Sequence, residues 1–203
     1  MCGNDKTMPG GDRVCPARHA GWLATSLRRL LQNPETILRG LVHAGETVLD
    51  LGCGPGFFTL PMARMVGENG WVVAVDLQEA MLEQMRLRAG RSGLMSRIRP
   101  QLCTAGSIGY TGSADFALAF FMVHEVPDVG RFLKELSGIL KERGRFLLVE
   151  PKFHVTAAKY RKTVDLALEA GFRIHSEPRM PLSRATLFER APKHESPFAE
   201  GPA

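Results

Sequence analysis

The chain has 203 residues, a net charge of +5 and a sequence pI of about 9.3. Its length suits one α/β domain, and its 44% hydrophobic and 23% charged residues are typical of a globular protein and argue against a disordered chain. No apolar run is long enough to span a bilayer and the first residues are unlike a signal peptide, so we expect a cytoplasmic protein without membrane contact.

The basic residues are spread over several predicted helices and do not form one block. This distribution favours solvated helix faces, and no nucleic-acid partner is expected. The four cysteines, Cys2, Cys15, Cys53 and Cys103, show no CxxC spacing. We therefore expect reduced thiols and no metal site.

The N-terminal residues predict an extension to the main domain. Leucines recur at helical spacing between residues 15 and 41, and Asn33-Pro34 interrupts that pattern. We place the domain boundaries near residues 44 and 192. This gives a helical extension over 1–44, an α/β domain over 45–192 and a flexible tail over 193–203.

The stretch VLDLGCGPGFFT at residues 48–59 predicts a strand, a tight loop and a helix. Its apolar run carries the carboxylate of Asp50. Three glycines follow at alternate positions: Gly52, Gly54 and Gly56. Glycines allow positive φ and let a nucleotide-like ligand lie against bare backbone at a helix N-terminus. The sixth loop position, where the NAD fingerprint has glycine, is Phe57.

This loop resembles motif I of the class I S-adenosylmethionine (SAM)-dependent methyltransferases, and in particular of the type 11 or UbiE-like small-molecule group. Twenty positions after Gly56, the apolar run at residues 71–75 ends at Asp76. The resemblance identifies Asp76 as the ribose-binding acid, because a carboxylate can accept hydrogen bonds from both ribose hydroxyls. The alternative is that Asp76 caps the helix predicted over residues 78–89.

The resemblance implies that SAM is the cofactor and S-adenosylhomocysteine the product. It places the cofactor-binding residues in four segments of the chain. They are Asp50, Gly52, Cys53, Gly54, Gly56 and Phe57; Asp76, Leu77 and Met81; Thr104 and Ala105; and Phe120 and Phe121. It also implies that the N-terminal extension forms a helical lid, which Cys15, His19 and Trp22 line unless Trp22 and the leucines simply pack on the sheet.

Strands and helices alternate along the rest of the chain. The predicted fold is therefore a Rossmann-like, doubly wound α/β sheet of seven strands with helices on both faces. The resemblance makes the sheet mostly parallel with an antiparallel last strand. Helices are predicted at residues 57–66, 129–140 and 155–170, and further strands at 97–103, 114–121, 145–150, 172–177 and 185–190.

The third strand departs from the family pattern. Its end usually carries an acid that binds the adenine amino group, but residues 103–107 are CTAGS. Thr104, Ser107 or the backbone of Ala105 could replace that acid, or the predicted register of the strand is shifted by a residue or two.

The segment HEVPD after strand four resembles that of many small-molecule methyltransferases, and the N/D-P-P-Y/F sequence of base methyltransferases is absent. His124 and Glu125 are the catalytic candidates for removing a proton from the acceptor. The alternative is that His124 only binds the cofactor or the backbone. Tyr110 and His154 are weaker candidates, and Cys53 reads as a small loop residue rather than a nucleophile.

Three functions remain open at this point. The first is methyl transfer from SAM to a small-molecule acceptor by in-line displacement. The others are a non-catalytic SAM-binding protein of the same fold and a nicotinamide-dependent oxidoreductase, against which Phe57 argues. A resemblance to arsenite methyltransferases extends only to motif I, since Cys2 and Cys15 do not match that family's thiol pattern. A homodimer is compatible with the sequence.

Overall fold

The computed structural model describes residues 32–192 of the chain. Its strands are β1 (Thr47–Leu51), β2 (Trp71–Asp76), β3 (Ile98–Leu102), β4 (Ala114–Phe120), β5 (Leu140–Pro151), β6 (Phe172–Ser176) and β7 (Ser183–Arg190). Its helices are α1 (Pro34–Leu38), α2 (Thr59–Met65), α3 (Glu79–Arg91), α4 (Val129–Ile139) and α5 (Ala157–Glu169), with 3-10 turns at Met95–Arg97 and Val123–Glu125. None of the helices in this range has the length and apolar character needed to cross a membrane.

The seven strands form one sheet in the order β3-β2-β1-β4-β5-β7-β6. Strands β1 to β5 pair in parallel, whereas β7 is antiparallel to both β5 and β6. This confirms the predicted mostly parallel, seven-stranded sheet. The strand order reverses direction between β1 and β4, and ligands of doubly wound sheets bind at the carboxyl ends of the strands at such a point.

The central strands are apolar on both sides because helices cover both faces of the sheet. Along β4, Phe116 and Leu118 enter one core cluster, whereas Ala117 and Ala119 enter the other. This alternation follows from the two-residue period of a strand. The first cluster includes Met62 of α2, and helices α2 and α3 pack there, while α4 and α5 cover the opposite face.

The predicted elements all occur within the described range, with shifted ends. The largest shift is in β5, which begins at Leu140 and not at Arg145. The cause is an irregular register, in which Leu140 pairs with Ala114 before regular pairing resumes at Phe116 and Arg145. Helix α2 begins at Thr59, so Pro61 lies in its first turn, where its missing N–H is tolerated. The predictions for residues 1–31, including Cys15, His19 and Trp22, and for the tail at 193–203 lie outside the described residues.

Candidate active site

The glycine loop connects β1 to α2 at the carboxyl edge of the sheet. Its glycines have positive φ values of 67° at Gly52, 53° at Gly54 and 85° at Gly56. The backbone N–H of Cys53 donates to the carbonyl of Val75 over 2.9 Å, which ties the loop to the end of β2. Arg88 of α3 donates to the carbonyl of Pro55 over 2.7 Å. The loop is thus fixed from both sides before any ligand binds.

The three glycines differ in what surrounds them. A Cβ at Gly56 would lie 2.7 Å from Leu60 Cδ1, and one at Gly52 would lie 2.9 Å from Met122 Cβ. A Cβ at Gly54 would meet nothing within 4 Å. Gly52 and Gly56 therefore allow close packing, whereas Gly54 borders open space in which a ligand can lie against the backbone.

Asp50 supports the loop from inside the core. Its side chain is buried, with a relative exposure of 2%, and its Oδ2 accepts a hydrogen bond from Thr59 Oγ1 over 2.5 Å. Thr59 is fully buried and is the first residue of α2. The carboxylate thus joins the end of β1 to the start of α2 across the loop, and this contact fixes the direction in which the helix leaves the loop.

Asp76, the last residue of β2, faces the same loop. Its Oδ2 accepts the Gly54 N–H over 2.8 Å, and its Oδ1 accepts the Gln78 N–H over 2.9 Å. Burial raises the pKa of this carboxyl above its ordinary value, although the backbone hydrogen bonds oppose that effect. A carboxylate has about four acceptor positions, so these backbone contacts leave room for a ribose hydroxyl. The N-cap of α3 is Gln78, which does not favour the capping interpretation of Asp76.

The other predicted cofactor residues lie around this edge with different exposures. Leu77 is 42% exposed, as a residue against an adenine ring would be before binding, whereas Met81 is buried in the core. Thr104 and Ala105 are exposed in a tight turn closed by the backbone of Thr104 and Ser107. The hydroxyl of Ser107 donates to Glu135 Oε1 of α4 over 2.7 Å. Glu135 of α4 thus places a carboxylate near the end of β3, where residues 103–107 contain no acid.

Aromatic rings connect the glycine loop with the end of β4. Phe57 and Phe58 meet edge to face, Phe58 contacts Phe120, and the Phe120 and Phe121 centroids lie 4.4 Å apart. Phe57 and Phe120 are largely buried. Phe121 has a φ of 62°, a conformation that costs a non-glycine residue about 1–2 kcal/mol. This turn directs the following Met122 against Gly52 and brings the β4 end onto the loop.

His124 forms a tight pair with Glu150, the penultimate residue of β5. Its Nδ1 lies 2.6 Å from Glu150 Oε2, and its backbone N–H donates to Glu150 Oε1 over 3.0 Å. The two side chains are only 9% and 3% exposed. Burial disfavours the imidazolium, but the hydrogen bond and charge of Glu150, together with the charge of Glu125, outweigh it and raise the pKa of His124.

Of the remaining candidates, Glu125 and His154 lie beside His124, whereas Tyr110 does not. Glu125 Oε1 lies 4.0 Å from His124 Nε2, and the ring of His154 meets the His124 ring with centroids 5.0 Å apart. Tyr110 packs instead against the core on the α4 side.

Burial, together with the charges of Asp50 and Asp76, raises the pKa of Cys53 in the glycine loop well above its usual value. A protonated thiol is a poor nucleophile.

Glu150 was not among the sequence-based candidates. It ends an apolar run, FLLVE at residues 146–150, as Asp76 ends the run in β2. The position of an acidic residue directly after an apolar run could therefore have identified Glu150 as a candidate site residue. Its partner could not be inferred, because His124 and Glu150 lie 26 residues apart in the chain and meet only when β5 pairs with β4.

Comparisons with known proteins agree with this geometry. Residues 42–179, more than half of the chain, match a family model described as a methyltransferase domain. The demethylmenaquinone methyltransferase of Lactobacillus johnsonii is 30% identical over 134 residues, which are 66% of this chain and 53% of that protein. The ubiquinone/menaquinone biosynthesis C-methyltransferase UbiE of Escherichia coli is 32% identical over 110 residues, 54% of this chain and 44% of that protein. The chain thus spans about half the length of these relatives.

A solved SAM-dependent methyltransferase from Aquifex aeolicus has the same fold. Its structure superimposes with a TM-score of 0.79 at 23% identity and covers 87% of this chain and 99% of that one. The match of the family model includes the glycine loop, Asp76 and the His124–Glu150 pair. The chain therefore belongs to the methyltransferase-domain family, within the class I SAM-dependent methyltransferases.

Proposed function

We propose that the protein transfers a methyl group to a small-molecule acceptor, with His124 as the general base. When bound, SAM supplies an electrophilic methyl group on a sulfonium leaving group. Asp76 and the backbone around Gly54 would hold this cofactor over β1 and β2. His124 follows β4, the next strand in the sheet, so the acceptor would lie between the cofactor and the His124–Glu150 pair.

The observation that carries this proposal is the contact between His124 Nδ1 and Glu150 Oε2. An ionised carboxylate only accepts hydrogen bonds, so we assign the Nδ1 proton to the histidine. The lone pair of neutral His124 then lies on Nε2, the nitrogen that can take a proton from the acceptor. Glu125, 4.0 Å from Nε2, would stabilise the imidazolium that results.

Two observations support a small acceptor. The relatives of this chain are named as methyltransferases for demethylmenaquinone and in ubiquinone and menaquinone biosynthesis. The segment at residues 121–128, which follows β4, lacks the N/D-P-P-Y/F sequence. We therefore propose a small molecule whose hydroxyl or activated carbon loses a proton on methylation, and not a nucleic-acid base.

The test is methyl transfer from labelled SAM to a panel of quinols, phenols and small acids. His124→Gln is expected to lower kcat by roughly a hundredfold or more, which is typical for the loss of a general base, while the SAM affinity stays unchanged. His175→Gln is the matched control, because His175 also faces a glutamate, Glu189 at 3.6 Å, but on strands β6 and β7. If His124→Gln turns over as the wild type does, positioning alone accelerates the reaction and His124 is not the base.

A further inference from the structure

A cavity lies between α5 and the segment that leads into β7, near the proposed active site. Its volume is about 570 Å³, within the range of about 300–1,000 Å³ found for small-molecule sites. Lys152, Arg161 and Arg179 contribute cationic groups to its lining. Val164 and Met180 add apolar surface. We call this cavity the basic cleft.

Among the residues that the structure describes, the cations of the basic cleft outnumber its acidic residues. Within residues 32–192, no ion pair is formed by Lys152, Arg161 or Arg179. Arg184 donates to the carbonyl of Val155 over 2.8 Å, and Glu177 is the one acidic residue of the lining. Several cations that share one concave surface attract a negatively charged ligand, and an apolar wall beside them selects one with an apolar part.

The basic cleft adjoins the His124–Glu150 pair through β5 and α5. Lys152 directly follows β5, whose penultimate residue is Glu150. Tyr160 lines the cleft, and the preceding residue on α5, Lys159, donates to the backbone carbonyl of His124 over 3.5 Å. The cleft therefore lies at the same carboxyl edge of the sheet as the base.

We propose that the basic cleft binds the carboxylate or phosphate group of a small amphiphilic acid. Arginine recognises either oxyanion through paired N–H donors, and Lys152 adds a point charge. The apolar part of the ligand packs against Val164 and Met180. If the proposed function holds, this acid is the methyl acceptor, and that part of the inference rests on the proposed function.

The test uses benzoate, phenyl phosphate and, as a neutral isostere, benzamide, each titrated into the full-length protein and followed by amide chemical shifts in NMR spectra. We expect benzoate or phenyl phosphate to bind about tenfold more tightly than benzamide and to shift resonances of α5 and of residues 177–185. Whichever acid binds more tightly identifies the preferred oxyanion. Arg161→Gln and Arg179→Gln should each weaken its binding about three- to tenfold. Lys162→Gln is the matched control, because Lys162 is the neighbouring exposed cation of α5 but does not line the cleft.

Three outcomes would overturn the inference. They are equal binding of benzamide, an equal effect of Lys162→Gln and Arg161→Gln, and displacement of the bound acid by S-adenosylhomocysteine, which would place the acid in the cofactor site. Binding of SAM is measured on the same samples. If SAM binds and no acid does, the cleft inference alone fails; if an acid binds and SAM does not, the proposed function fails while the cleft remains a binding site.

Discussion

Alanine substitutions in the glycine loop should separate the residues that pack the fold from the residue that borders the ligand. At Gly56 the φ of 85° costs an alanine about 1–2 kcal/mol. The new Cβ would also lie 2.7 Å from Leu60 Cδ1 and 2.9 Å from Met85 Cγ, an overpacking that costs about 1–3 kcal/mol. We expect Gly56→Ala to lower the free energy of unfolding by about 2–5 kcal/mol.

Gly54→Ala should behave differently, because its Cβ would meet nothing within 4 Å. Only the backbone cost of its φ of 53° remains, about 1–2 kcal/mol. The added methyl group would, however, occupy the space in which the cofactor is proposed to lie, so the SAM affinity should fall sharply. Gly93→Ala is the matched control: Gly93 has a φ of 66° and open space around it, but it follows the far end of α3.

The measurements are urea unfolding, thermal unfolding and calorimetric titration with SAM. Gly54→Ala and Gly93→Ala should lose the same stability, and only the first should lose SAM affinity. Gly56→Ala should show the lowest melting temperature of the three, by about 2–4 °C for each additional kcal/mol. Equal stabilities for Gly56→Ala and Gly93→Ala would refute the packing argument, and normal SAM binding by Gly54→Ala would refute the placement of the ligand.

Three further substitutions test the residues around the loop. Glu150→Gln should lower the pKa of His124 and move the acid limb of the kcat/KM profile to lower pH. It should also lower the free energy of unfolding, mainly below about pH 6.5. The raised pKa of His124 stabilises the fold in that range, and this contribution disappears as the pH rises through the folded-state pKa. If the acid limb of the kcat/KM profile does not move, that limb belongs to another group. Thr59→Val removes the hydroxyl donor to buried Asp50 and should cost about 1–3 kcal/mol in urea unfolding. Cys53→Ala should leave kcat unchanged, because the thiol is protonated; a loss of turnover with SAM affinity intact would contradict this.

The glycine loop and its contact with Asp76 could be predicted because the residues that form them lie close together in the chain. Asp50 and the three glycines lie within seven residues, and Asp76 follows an apolar strand that the sequence marks clearly. The spacing of these residues therefore predicts the local geometry. In the structure Asp76 contacts Gly54, and all three glycines have positive φ. The fold followed from the same alternation of strands and helices, and only the ends of elements such as β5 were misplaced.

The proposed acceptor site could not be predicted in the same way, because contacts between distant segments create it. Glu150 becomes part of the site only when β5 pairs with β4, and the basic cleft forms only when the segment before β7 folds back onto α5. The positive φ of Phe121 is a further example, since no property of phenylalanine predicts that conformation. Registers and tertiary contacts of this kind are not encoded in local spacing.

The proposed cofactor site, the proposed base and the basic cleft lie on different strands of the sheet. The proposed cofactor site lies at the ends of β1 and β2, the proposed base follows β4 and pairs with β5, and the basic cleft lies beside β5 and β7. Lys152, Arg161 and Arg179 form no hydrogen bond or ion pair with the glycine loop or with Asp76 within residues 32–192. We therefore expect charge-reversal variants of the cleft to change which acids bind while SAM binds as before. A loss of SAM affinity in a folded Arg179→Glu variant would show that the two halves of the site are coupled, and acceptor choice would then not be separable from the cofactor.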